Sequence, residues 1–167
     1  MKVYARFLND KDYLEIGGET DEDGFYSSLG FKLMDVEQGY DGAYYPLGKA
    51  PAEPLSLAQE QKHSELKSTM QSKRQALKVD YDDDQFDANE DAQANMIVLL
   101  KSFDLGATSV SIRSTTEKTH TFNKDHTQEL SLLMLQAVNE LYDKYWELKD
   151  ALSKCETVDA VNEIKWE

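Results

Sequence analysis

Two hydrophobic periods alternate along this chain. From Leu130, apolar side chains recur at 130, 134, 137, 141, 145, 148 and 152, a four-and-three spacing that gathers them on one side of a helix. That pattern predicts a helix over Lys124 to Lys154, roughly 45 Å long at 1.5 Å per residue, with Asn123 or Asp125 as its N-cap. Leu132, Leu133, Leu135 and Val138 widen the apolar stripe of the first half, so this half is expected in the core and the second half more exposed. Just upstream the period drops to two: Val110 to Arg113 and Lys118 to Phe122 alternate on either side of Ser114 to Glu117, which predicts a β-hairpin. Before it, Asp87 stands three residues ahead of Glu90 in a capping-box arrangement, starting a helix that runs to about Phe103 and stops at Gly106. Thr157 caps a last short helix.

Leu55 to Leu77 lacks Gly and Pro and is rich in Gln, Lys, Glu and Ala, so it is helical on propensity. Its apolar positions are few (Leu55, Ala58, Leu66, Met70, Leu77), a seam that fits an exposed or oligomer-forming helix. A strand pair follows, Lys78 to Tyr81 and Gln85-Phe86, turned by Asp82-Asp83-Asp84. Near the start, Lys2 to Ile16 alternates and is closed by Gly17-Gly18, while Asp21 to Gly24 is a turn signal and aromatics are dense to Tyr45. All three prolines, Pro46, Pro51 and Pro54, lie within one short stretch, which reads as extended linker. The expected organisation is α+β: a small β-rich attachment unit over 1–45, a linker over 46–54, a polar helix over 55–78 that can form oligomers, and an α+β head over 79–167. A β unit of about 45 residues has little core of its own and is expected to lean on a partner or another domain.

Composition narrows the possible partners. The 167 residues carry 18 Lys and Arg against 32 Asp and Glu, a net charge of −14, which works against binding a phosphate backbone or an anionic membrane. No apolar run reaches the roughly 20 residues that span a bilayer, and the start Met1 to Phe7 lacks the apolar core of a signal peptide. Cys155 is the single cysteine, so neither an internal disulfide nor a thiolate zinc cluster is available.

The acidic run is the first place to look for chemistry, since residues 79–91 alone sum to −7. Asp80, Asp82, Asp84 and Asp91 fall at positions 1, 3, 5 and 12 of a calcium-loop frame. The frame breaks where geometry matters: Gln85 replaces the glycine of the sharp turn, Asp87 occupies an apolar position, and the last ligand is Asp instead of a bidentate Glu. The run therefore reads as a solvated turn, and no metal or other cofactor is expected. His63, His120 and His126 have no metal-ligand spacing and read as surface residues. No nucleophile elbow and no Gly-rich loop followed by Lys is present, and Cys155 lies near a helix C-terminus that disfavours a thiolate. The sequence therefore points away from an enzyme. Interaction surface remains: Tyr40, Tyr44 and Tyr45 in the N-terminal unit, and Tyr142, Tyr145 and Trp146 on the long helix, are candidate interface residues, with core as the competing use for the helix set.

The order of elements in the second half carries a resemblance. Lys73-Arg74, Tyr81, the run Phe86-Asp87-Ala88-Asn89-Glu90-Asp91-Ala92-Gln93, the hairpin, the long helix, Glu147 to Leu152 and the closing Thr157 to Trp166 resemble a phage-encoded domain of unknown function found at the C-terminal ends of tail-fibre and tail-associated proteins of tailed bacteriophages. The resemblance covers residues 70–166 and departs at Val110, where Trp is common, and at Asn89, where Asp is usual. The family has no known catalytic residue to transfer. The resemblance implies a non-enzymatic structural component of a phage tail, at a fibre or baseplate, attached to other tail proteins through residues 1–54. It further implies trimers along Leu55 to Leu77, and residence in the virion tail after assembly in the host cytoplasm. The alternative is a tail-fibre assembly chaperone absent from the finished virion. Neither nucleic-acid binding nor membrane insertion is expected.

Overall fold

The structure is a computed structural model that describes residues 1–8 and 12–166. It is α+β, as the two periods predict, and divides into two compact units, Met1–Leu57 and Ala58–Glu167.

In the first unit β1 (Lys2–Phe7), β2 (Leu14–Ile16), β3 (Lys32–Gln38) and β4 (Tyr44–Pro46) close into a small antiparallel barrel, in the order β1-β2-β4-β3. Alternation places Val3, Ala5, Leu14 and Val36 inside, with Ile16, Met34 and Tyr44 packed against them. One short helical turn, α1 (Phe25–Ser28), is held by Asp21, whose carboxylate accepts from the amides of Tyr26 (2.6 Å) and Ser27 (3.1 Å) and from the Ser27 hydroxyl. The ring of Tyr26 presses on Gly17, where a Cβ would meet it at 2.7 Å, so glycine is needed there for close approach. The expected linker begins later than the prolines suggested. Pro46 pairs with Val36 and belongs to β4; β2 meets β4 at Tyr44, and the Leu47 N–H to Asp35 C=O bond puts the ladder one residue on, so the missing N–H of Pro46 faces away from β3.

The second unit begins within α2 (Leu55–Gln75) and continues through the hairpin β5 (Lys78–Tyr81) and β6 (Asp84–Asp87), α3 (Glu90–Asp104), the hairpin β7 (Val110–Arg113) and β8 (Thr119–Phe122), α4 (Lys124–Ser153) and α5 (Val158–Glu163). The long helix is the spine: α4 packs on α3, β5 and β8. The core joins Phe86, Ala88, Met96, Val110, Phe122, Leu130 and Met134.

Helix starts follow short polar side chains. Asn123 Oδ1 accepts from the His126 amide at 3.0 Å, and the Thr157 hydroxyl accepts from the Ala160 amide at 3.2 Å. The start of α3 differs from the expectation. Asp87 lies opposite Lys78 in the β5–β6 ladder, which the Ala88 N–H to Leu77 C=O bond extends by a residue. The chain leaves the ladder only at Asn89, whose Oδ1 accepts from the Ala92 amide at 2.9 Å and makes it the N-cap.

The polar helix α2 is also used differently from the expectation of an exposed or oligomer-forming seam. Ala58, Leu66, Met70 and Arg74 are buried. Beyond Leu57 the helix runs antiparallel to α4: Gln59 Nε2 donates to the carbonyls of Cys155 (3.1 Å) and Leu152 (3.4 Å), and His63 meets the Tyr145 hydroxyl at 3.2 Å. Further along, the Lys73 ammonium lies 5.9 Å from the centre of the Trp166 ring. A stripe this narrow is supplemented by polar side chains, which supply contacts to α4, to Ala88 and to Trp166.

Candidate functional site

The acidic turn and the second hairpin meet at one carboxylate. The β5–β6 turn places Asp82 (φ 52) and Asp83 (φ 57) in the left-handed region, as a two-residue hairpin loop requires, and aspartate tolerates this better than most residues. The next residue, Asp84, turns inward and its side chain is only 3% exposed. Its oxygens accept from the Thr116 hydroxyl at 2.9 Å, from His120 Nε2 at 2.9 Å and from the Gln85 amide at 2.8 Å. The Ser114 hydroxyl lies 3.0 Å from that of Thr116. Burial opposes the charge on Asp84, yet the bonds from His120, the Gln85 amide, Ser114 and Thr116 outweigh it and hold the carboxyl far below its usual range. An ionised carboxylate only accepts, so Nε2 of His120 carries the proton in this pair.

This hub uses up the best-placed ligand of the calcium frame. Asp80 accepts from Gln85 Nε2 at 3.1 Å, Asp82 is in the turn, and Asp91 lies in the first turn of α3 on the other side of the cap. Among the described residues no group of three or more His, Cys, Asp or Glu side chains is placed to hold a metal ion. His120 is the residue that reading by spacing missed: it was assigned to the surface, and it is the partner of Asp84, packed edge-on to Phe86 with ring centres 5.2 Å apart. The alternation of β8 contained the signal, since His120 shares its parity with Phe122 and thus points to the apolar side of the hairpin.

Beside the hub the Thr115 amide donates to the Gln85 carbonyl at 2.8 Å, and residues of β6, β7 and α3 line a groove of about 510 Å³. Its lining includes the half-buried Leu99 and Ile112 above the buried Phe86, Met96 and Met134, together with Asp87 and Asp91. Beside the groove, α3 leaves Ile97 and Val98 exposed (59% and 66%), and α4 leaves Leu132 and Leu135 exposed (58% and 51%).

The aromatic candidates separate into two groups. Tyr45 and Tyr145 are corrections, being buried within the chain. The Tyr45 hydroxyl donates to Asp41 at 2.7 Å, and this bond, with burial, pushes its pKa up to about 12. Tyr145 stacks on Trp166 with ring centres 6.4 Å apart while its hydroxyl meets His63. Both rings are buried with a polar partner for the hydroxyl, the usual condition for burying tyrosine. Tyr40 and Trp146 remain exposed, and Tyr44 and Tyr142 are half-buried, with Tyr142 and Trp146 in contact at 5.8 Å.

Neither a characterised protein nor a solved structure matches the chain to a significant degree. A family model does, over residues 57–165, that is from the first turns of α2 to the residue before Trp166. The matched span takes in α4, both hairpins and the Asp84 hub, and the chain belongs to the family described as a domain of unknown function, DUF4376.

Proposed function

We propose that the protein is a non-enzymatic structural component of a bacteriophage tail, at a fibre or the baseplate, which attaches to other tail proteins. The observation that supports attachment is the set of apolar side chains that α3 and α4 leave exposed, Ile97 and Val98 on one helix and Leu132 and Leu135 on the other. The tail setting draws on the resemblance of residues 70–166 to domains at the C-terminal ends of tail-fibre and tail-associated proteins. Self-association into trimers belongs to the same proposal. α2 buries Ala58, Leu66 and Met70 inside the chain, so the exposed Ile97, Val98, Leu132 and Leu135 are the residues offered for it. The test is mass spectrometry of purified phage particles alongside the lysate they assemble in. Detection in particles at a stoichiometry of several copies supports a tail component. Presence in the lysate and absence from particles replaces it with an assembly chaperone.

A further inference from the structure

We propose that the hollow lined by the end of α2, the start of α3 and Tyr142 of α4 binds a small α-amino acid as its zwitterion, with the carboxylate on Arg74 and the ammonium on Glu90 and Asp91. The hollow has a volume of about 440 Å³, a size that suits a small ligand, and the site does not depend on the tail assignment. Arg74 is the residue that calls for an anion. It is buried, and its Nη1 donates to the Ala88 carbonyl at 2.7 Å, yet it enters none of the ion pairs among the described residues. That bond uses one of the five N–H groups of a guanidinium. Among the described residues no side-chain nitrogen or oxygen sealed from solvent lacks a hydrogen-bond partner. The unbonded Nε and Nη2 of Arg74 are therefore the atoms that stay accessible, and the residue lines this hollow. Together they form one edge of the planar fork, the edge that matches the two oxygens of a carboxylate.

Backbone donors line the same hollow. Asn89 spends its side chain on the Ala92 amide and its carbonyl on the Gln93 amide. The amides of Glu90 and Asp91, the first two of α3, have no acceptor among the described residues, as the geometry of a helix start dictates, and the positive end of the helix dipole adds to them. Charge then selects among anions. The side chains of Glu90 and Asp91 are exposed, border the hollow and enter none of those ion pairs either. A phosphate would bring further negative charge beside two acids, whereas a carboxylate with an ammonium on the adjoining carbon answers Arg74 and the acids together. Met70 and the ring of Tyr142 supply apolar lining for a side chain, so an aliphatic amino acid is the fitting probe.

The test titrates the isotopically labelled full chain with L-leucine, with isocaproate, which is leucine without its amino group, with isoamylamine, which lacks the carboxylate, and with inorganic phosphate. The Nε–H resonance of Arg74 and the amide resonances of Glu90 and Asp91 are expected to shift with leucine, and each truncated analogue to bind about tenfold more weakly. The exposed double change Glu90→Gln with Asp91→Asn brings leucine down to the level of isocaproate, with circular dichroism as the control for folding. Arg74→Met abolishes the response to both; should that variant fail to fold, the double change and the Arg74 resonance of the natural chain still decide. No shift at millimolar leucine, shifts confined to other residues, equal binding of leucine and isocaproate, or tighter binding of phosphate than of leucine overturns the proposal.

Discussion

Nε2 of His120 donates to the carboxylate of Asp84 across 2.9 Å and so ties the turn of one hairpin to the second strand of the other. Thr116 and the Gln85 amide complete the set of donors. Removing the charge leaves them facing a neutral group in a buried site, where each lost partner is costly. Asp84→Asn is expected to lower Tm by on the order of 5 °C at neutral pH.

The same carboxylate sets an acid dependence. Its folded pKa lies below the ordinary value of 3.8, so its contribution is complete above that value and is lost as pH falls towards the depressed one. Thermal melts from neutral pH downwards should show the gap between the natural chain and Asp84→Asn holding constant to about pH 4 and narrowing below it. A gap independent of pH down to acid would contradict the assignment.

Tyr45 gives the opposite sign at the alkaline end. Its pKa is pushed from 10.0 to about 12, chiefly by its bond to Asp41. The stabilisation is present below pH 10 and disappears as pH rises through about 12. Tyrosinate absorbance should reveal two late-titrating groups, because burial and a bond to Glu129 also push Tyr81 up to about 12, and Asp41→Asn should move only one of them back towards the others.

The cap of α3 separates two neighbouring acids and amides. Asn89→Ala is expected to cost about 1 kcal/mol in denaturant unfolding. Asp87→Ala, at an exposed strand position with no capping bond, should stay within about 0.5 kcal/mol of the natural chain.

Arg74 is buried in α2 and donates to the Ala88 carbonyl at 2.7 Å, directly behind the β6 strand. Arg74→Met keeps much of the packing and removes the charged donor. The expected cost is about 2 kcal/mol, measured by urea unfolding.

On the outer surface the expectation reverses. Val98→Glu and Leu132→Glu, both at exposed positions, should leave stability within about 0.5 kcal/mol. If the proposed attachment surface is correct, the same changes reduce self-association seen by light scattering and reduce incorporation into particles.

Local patterns carried much of this fold. The seam from Leu130 to Leu152 and the alternation around Ser114 to Glu117 became α4 and the β7–β8 hairpin with few changes at their ends, since a helix or a two-strand hairpin encodes its period within neighbouring residues. The start of α3 was displaced from Asp87 to Asn89 because the β5–β6 ladder competed for the same backbone, and that competition depends on Lys78, nine residues earlier. In the candidate site the acidic residues were visible as a cluster, whereas the use of Asp84 depended on His120 and Thr116, more than thirty residues away.

What the sequence determined by itself was the order of elements from α2 onward, the acidic charge and the α+β class, all of which follow from propensity, period and composition. Only the tertiary structure decided that β1 to β4 close into a barrel, that the sparse seam of α2 is buried, and that Tyr45 and Tyr145 face inward. It also decided that the two hairpins touch at Gln85 and Thr115 and share the Asp84 hub. These depend on which surfaces meet across long chain separations, and a side chain that is apolar, aromatic or acidic is compatible with several such meetings until packing selects one.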